Sequence, residues 1–285
     1  MMSEKKYRAE LVGVFGDPVD GNPTGVVEEA GFAAAGLNYR YITCRVKRGE
    51  IADAIRGMRA IHMRGVNLTM PHKMDVLPYL DALTPAARIV GAVNTVVSRG
   101  GKLLGENTDG KGFVKSLTDE GIDLHGKTVC LLGAGGAARA IGVECALSGA
   151  ARIIIINRNA ERGASLRDAI AQHTDAQAEF IPWIGTAAIP KQTDILVNGT
   201  CVGLFPDVND CPDIDYTAIE PGMIVCDVVF NPAVPVFLQK AQQRGAHIIS
   251  GLGMLVNQAA LNFEIWTDIK APRDVMLEAL RREFE

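Results

Sequence analysis

One stretch limits what this chain can fold into more than any other: Thr128-Val-Cys-Leu-Leu-Gly-Ala-Gly-Gly-Ala-Ala-Arg139. An apolar run with strand character leads directly into Gly133-x-Gly135-x-x-Ala138, and helical periodicity starts at Gly136. Gly133 permits a tight turn, and Gly135 lets a pyrophosphate approach the backbone. The small Ala138 keeps the helix close to the sheet, and the helix N-terminus offers free N–H groups and a positive dipole. Strand, glycine turn and helix in that order form the opening of a parallel βαβ unit that binds a dinucleotide. Out of that context, a structural glycine turn explains the same residues.

The next apolar run, Ile153-Ile-Ile-Ile156, ends at Asn157-Arg158-Asn159-Ala160-Glu161-Arg162. This lies roughly twenty residues past the glycines, where the adenosine ribose is expected. A chain that uses NAD places a carboxylate there for the 2′-hydroxyl. Here Arg158 and Arg162 stand one helical turn apart and suit the planar, charge-assisted recognition of a 2′-phosphate. The sequence therefore predicts NADP over NAD, against the plain alternative of two solvated arginines at a helix start.

Apolar runs and amphipathic stretches alternate along the chain. Strands are predicted at 10–15, 39–46, 65–70, 92–98, 102–106, 128–132, 152–157, 179–183, 194–198, 223–229 and 247–250, and helices at 136–148, 161–173 and 235–244. The alternation implies an α/β fold of parallel sheets covered by helices. With 285 residues the chain has room for two cores. Its character changes near residues 107–125. We expect a substrate-binding catalytic domain over 1–109, completed by C-terminal helices from about 255–285, and a Rossmann-type doubly wound domain over 110–254. A net charge of −4 without like-charge blocks argues against nucleic-acid binding. The N-terminal MMSEKKYRAE lacks an apolar signal core, and no apolar run is long enough for a bilayer, so a cytoplasmic chain is expected. Six cysteines without C-x-x-C spacing or a histidine cluster read as reduced, mostly buried thiols, and no metal is expected.

In the first half, polar groups punctuate apolar elements: Asn67, Thr69 and Lys73 in Asn67-Leu-Thr-Met-Pro-His-Lys73, Asn94 in Gly91-Ala-Val-Asn-Thr95, and Asp109 in Asn107-Thr-Asp-Gly110. If these ends converge, a lysine, a carboxylate and neutral hydrogen-bonding groups surround one site. That set suits oxidation of a secondary alcohol, in which the hydroxyl proton needs an acceptor as hydride leaves for nicotinamide. Such a pair titrates as a unit. Spacing alone favours the plainer reading of Lys73 as a helix-start cation and Asp109 as the N-cap of a helix at Gly110.

Taken together, these segments resemble the shikimate dehydrogenase family, including its shikimate/quinate branch. The matching residues run from Gly16-Asp-Pro18 through the motifs above to Asn198-Gly-Thr-Cys-Val-Gly203, Asn231-Pro232 and Gly251-Leu-Gly-Met-Leu-Val-Asn-Gln258. The resemblance implies a substrate domain and a Rossmann domain, in a monomer or homodimer. It implies NADPH-dependent reduction of 3-dehydroshikimate to shikimate, a step of aromatic amino-acid synthesis, with Lys73 and Asp109 as the catalytic pair. Thr69, Asn94 and Gln258 would hold ring hydroxyls. Gly133, Ala134, Gly135, Gly136 and Ala137, with Asn157, Arg158 and Arg162, would hold NADP, and Gly251 and Met254 would border the nicotinamide.

Three positions depart from the family pattern. Where the family carries two serines for a substrate carboxylate, this chain has Asn22 and Thr24, preceded by Asp20. Asp20 would repel a carboxylate if it pointed inward. Phe230 replaces a tyrosine at the cofactor side, and Gly199 replaces the commoner alanine. Tyr41 is either a compensating hydroxyl donor or a core residue. The substrate is therefore expected to be shikimate, quinate or another polyhydroxylated ring acid. A silent NADPH-sensing module is the alternative of another class, and it has no use for a lysine–carboxylate pair.

Overall fold

The computed structural model describes residues 7–284. Most of the polar N-terminal decapeptide lies outside these residues, as does Glu285 at the end of the predicted C-terminal helices. The chain divides into two compact units, one of 1–108 with 259–283, the other of 109–258 with Phe284.

The first unit contains β1 (Glu10–Gly16), α1 (Thr24–Ala34), β2 (Tyr39–Arg45), α2 (Ile51–Ala60), β3 (Gly65–Leu68) and α3 (His72–Asp75). They are followed by β4 (Ala82–Leu83), α4 (Pro85–Val90), β5 (Thr95–Arg99) and β6 (Lys102–Glu106). Its sheet has the order β2-β1-β3-β5-β6-β4. Against the expectation of parallel sheets, this one is mixed, because β5 runs antiparallel to both β3 and β6. The cause is local. Gly100 and Gly101 sit at φ of +58° and +80°, and so close a two-residue hairpin between β5 and β6. α4 starts on the Thr84 side chain, which accepts from the Ala87 N–H at 3.3 Å, and stops at Gly91 with φ of 67°. β5 consequently begins at Thr95 rather than Ala92, and Asn94 lies in the connection before it.

The second unit holds α5 (Asp109–Asp119), β7 (Thr128–Leu132), α6 (Gly136–Leu147), β8 (Arg152–Asn157), α7 (Ala160–His173) and β9 (Gln177–Pro182). β10 (Ile195–Asn198), β11 (Ile224–Asp227), α8 (Val236–Gln243) and β12 (His247–Ile249) follow. All its strand pairs are parallel, in the order β12-β11-β10-β7-β8-β9. This is the doubly wound arrangement, with its switch point between β7 and β10. Val129–Leu132 and Ile153–Ile156 are wholly buried, as a parallel sheet covered on both faces requires.

α9 (Gly251–Thr267) carries the chain from the second unit back to the first, and α10 (Arg273–Arg282) ends it. Trp266 lies in the core of the first unit and donates from Nε1 to the Val96 carbonyl at 3.1 Å. Gly65 makes this possible, since a Cβ there would sit 2.0 Å from the indole nitrogen. The cysteines are all free, but they are less uniformly buried than expected: Cys130, Cys145 and Cys226 are buried, Cys44 and Cys211 half-buried, and Cys201 exposed. The exposed thiol follows from its place in the loop after β10.

Candidate active site

In the first unit the substrate candidates gather where β1 and β3 end and β5 begins. Because β5 is antiparallel, its start meets the carboxyl end of β3, with Asn67 opposite Thr95. Thr69 follows directly on β3, its N–H donating to the Phe15 carbonyl at 3.0 Å. Gly16 leaves room for it, since a Cβ there would strike the Thr69 methyl. Lys73 is half-exposed in the first turn of α3. Its backbone is held by Val93, whose N–H donates to the Lys73 carbonyl at 2.8 Å. The neighbouring ring of His72 is fully buried, with Nε2 2.7 Å from the Val46 carbonyl. The strand end thus fixes where the lysine stem starts.

A chain of buried side chains runs behind these residues. The Tyr41 hydroxyl donates to Asn67 Oδ1 at 2.8 Å, and Asn67 Nδ2 donates to Thr95 Oγ1 at 3.1 Å. The hydroxyls of Thr95 and Thr108 both donate to Asn262 Oδ1, at 2.6 and 2.8 Å. Asn94 closes the chain, with Nδ2 2.9 Å from Thr108 Oγ1 and Oδ1 accepting from the Thr108 N–H at 2.8 Å. Each buried amide is held by at least two such contacts, which fixes its orientation. Thr95, Thr108 and Asn262 were not singled out from the sequence. Thr108 lies inside the Asn107-Thr-Asp-Gly110 motif, and Asn262 follows Gln258 by one helical turn, which was the available signal.

Of the residues standing where a carboxylate-binding element is expected, Asp20 is exposed. Asn22 is turned back on the chain, its Oδ1 accepting from the Thr24 N–H at 2.9 Å. Thr24 is buried in the first turn of α1, and Gly25 beside it abuts the Tyr41 ring. Tyr41 is therefore tied to the polar chain and is not merely a core tyrosine.

In the second unit, Gly133 takes φ of +107°, a region that favours glycine, and its N–H donates to the Ile156 carbonyl at 2.8 Å. A Cβ on Gly135 would meet nothing within 4 Å, so the backbone there is open to a ligand. No side chain caps α6, which starts at Gly136 just beyond this open position. These features fit a dinucleotide pyrophosphate. Gly199, whose replacement of alanine lacked chemical meaning in the sequence, has a packing role. A Cβ there would come within 2.9 Å of the Ala138 Cβ.

Asn157 ends β8, and Asn159 caps α7 by accepting from the Arg162 N–H at 2.9 Å. Arg158 and Arg162 are exposed at this end, and the Arg158 guanidinium lies 5.3 Å from the centre of the Trp183 ring. Asp109 is buried as the first residue of α5, and so is not the N-cap that spacing allowed. A Cβ on the adjoining Gly110 would strike the Ala140 carbonyl, so α5 crosses α6 in close contact. Gly112 abuts the Met254 carbonyl and the Gln258 backbone in the same way, which brings Gln258 and Met254 on α9 beside α5. Gly251 packs against the carbonyls of Val228 and Val229, next to half-buried Phe230.

Asp227, at the end of β11, also escaped the sequence reading. Its Oδ1 accepts from Asn198 Nδ2 at 3.0 Å and from the Val229 N–H at 2.9 Å, while Oδ2 is buried without a partner. Burial pushes this carboxyl from 3.8 up to about 7. The folded state therefore keeps a proton that the unfolded state has released, and stability falls as pH rises between these values. We expect the Asp227→Asn variant to escape this loss. Its stability relative to the native sequence, measured by urea unfolding, should improve by up to about 3 kcal/mol from pH 5 to pH 8. An unchanged difference would show that Asp227 is ionised throughout.

Comparison with known proteins adds three family matches. The shikimate dehydrogenase substrate binding domain matches residues 14–96, shikimate / quinate 5-dehydrogenase matches 115–202, and the shikimate 5′-dehydrogenase C-terminal domain matches 251–281. A shikimate dehydrogenase (NADP(+)) of Desulforamulus reducens is 42% identical over 97% of this chain and 96% of its own length. Among solved structures, ligand-free 5-ketofructose reductase from a Gluconobacter species is 44% identical, with a TM-score of 0.92 over 98% of this chain and all of that one. Shikimate 5-dehydrogenase of Listeria monocytogenes, in complex with shikimate and NAD, is 34% identical, with a TM-score of 0.90 over 98% and 99%.

Proposed function

The chain belongs to the shikimate dehydrogenase family, and from that membership and the residues gathered within each unit we propose that it is an NADP-dependent shikimate dehydrogenase. The reaction is the reversible reduction of 3-dehydroshikimate to shikimate. The observation that carries it is the strand end that fixes Lys73, within the same unit as Thr69, Asn67 and Asn94.

NADPH, when bound, supplies the hydride. Lys73 gives a proton to the carbonyl oxygen during reduction and takes it back in the reverse direction. Asp109 is the second member of the catalytic pair. Thr69, Asn94 and Gln258 orient the ring hydroxyls, and the buried amides behind Asn94 prevent it from turning away. Gly133 to Ala137 receive the pyrophosphate, Arg158 and Arg162 the 2′-phosphate, and Gly251, Met254 and Phe230 the nicotinamide end.

Two observations favour a second reading, in which a neutral keto sugar or a related polyol is the preferred substrate of the same chemistry. Asn22 and Thr24 replace the serines of the carboxylate-binding element, and the 44% identical relative is named for a neutral keto sugar. Both readings are tested by following NADPH formation with shikimate and quinate, and NADPH consumption with 5-ketofructose. Turnover of shikimate with NADP is the expected result. An intact fold that turns over none of these compounds would refute the assignment.

A further inference from the structure

α1 buries Thr24, Val27, Glu28, Gly31 and Phe32, a single helical face. Glu28 stands in the middle of that face, fully buried, one turn beyond Thr24. Neither carboxyl oxygen has a hydrogen-bond partner. Buried carboxyls are otherwise paired or hydrogen-bonded, so an orphan of this kind calls for an explanation. Its surroundings supply one. Glu28 lies close enough to Tyr41 for its charge to add to the burial that raises the tyrosine pKa. Tyr41 packs on Gly25 and donates to Asn67, and Asn67 precedes Thr69 by two residues at the end of β3. Thr24, Glu28, Tyr41 and Asn67 thus form one polar cluster between the start of α1 and the substrate candidates, all within the first unit.

We propose that Glu28 is a specificity-determining residue, whose buried carboxyl sets, through Tyr41 and Asn67, which substrate group is accepted beside Thr24 and Asn67. The chain accordingly takes neutral polyhydroxylated substrates at least as efficiently as carboxylates. This rests on the dehydrogenase reading above and names the substrate class of that same site. A neutral hydroxyl beside this cluster meets no charge repulsion from Glu28, whether or not the carboxyl is protonated. A carboxylate can only accept, and beside an ionised Glu28 it would place two like charges in a dry cluster. Burial raises the pKa of Glu28 and moderates this repulsion, but it does not give a carboxylate the positive partner that such a ligand calls for. Asn22, bonded back to the helix start, does not supply one either.

The test compares two alcohols with NADP: shikimate, and the analogue in which its carboxylate is reduced to a hydroxymethyl group. Wild-type kcat/KM for the hydroxymethyl analogue should equal or exceed that for shikimate. Glu28→Gln, which removes the charge at nearly constant shape, should shift the ratio at least tenfold toward shikimate. Preference of the wild type for shikimate overturns the proposal, and that comparison stands even if the variant does not fold. A folded variant that changes both values alike also overturns it, because Glu28 would then be structural only. If neither alcohol reduces NADP, the dehydrogenase reading itself has failed, an outcome distinct from an inverted preference.

Discussion

Replacing Lys73 with alanine should lower kcat for shikimate oxidation by about 10²- to 10⁴-fold, the range for loss of a positioned acid–base group. The substitution removes a half-exposed side chain, while the α3 backbone stays tied through Val93 and through the buried ring of His72. Folding should therefore be nearly unaffected, as should NADP affinity, because the cofactor candidates lie in the other unit. A rise in KM, or a loss of NADP affinity, of the same size as the fall in kcat would instead assign Lys73 to ligand binding. Asp109→Asn provides the control for a pair acting together. If the two residues share one proton-transfer role, the double variant should be little worse than either single one.

The second large effect concerns the cofactor. With Arg158 and Arg162 both changed to alanine, NADP affinity should fall about a hundredfold while NAD affinity stays within a few-fold. Each charge-assisted contact to a phosphate is worth about 1.5 kcal/mol or more, and about 1.4 kcal/mol corresponds to a tenfold change. Both arginines are exposed in the structure, and Arg158 rests on Trp183. Fluorescence titration with each nucleotide reads the result without turnover. Equal losses for NADP and NAD would mean that the arginines support α7 and do not read the 2′-phosphate.

The doubly wound unit was almost fully legible in the sequence, because β7, β8 and the glycine turn are locally consistent. Apolar runs, positive-φ glycine and helix start all require the same fold. The first unit was less legible. Strand runs were found, but periodicity carries no direction, so the antiparallel β5 was missed although Gly100-Gly101 marked its hairpin. The polar chain through Thr95, Thr108 and Asn262 joins positions far apart in sequence, and no short-range pattern encodes such contacts. Glu28 had a signal of another kind. It occupies the apolar stripe of α1 between Thr24 and Phe32, whereas Glu29 next to it is only partly buried. A charge centred on a buried stripe is a conflict between pattern and residue, and such conflicts mark functional sites.

Trp266 beneath Gly65 bears on how the protein is made. The ribosome delivers the chain from the N-terminus, and 109–258 form one uninterrupted unit that can fold as it emerges. β1 to β6 leave the ribosome earlier, but the indole that fills the space over β3 is synthesised only after the whole of 109–258. Of the two units, the one whose strands are translated earlier is therefore the later to mature, and its unsatisfied apolar face must be kept from wrong partners in the interval.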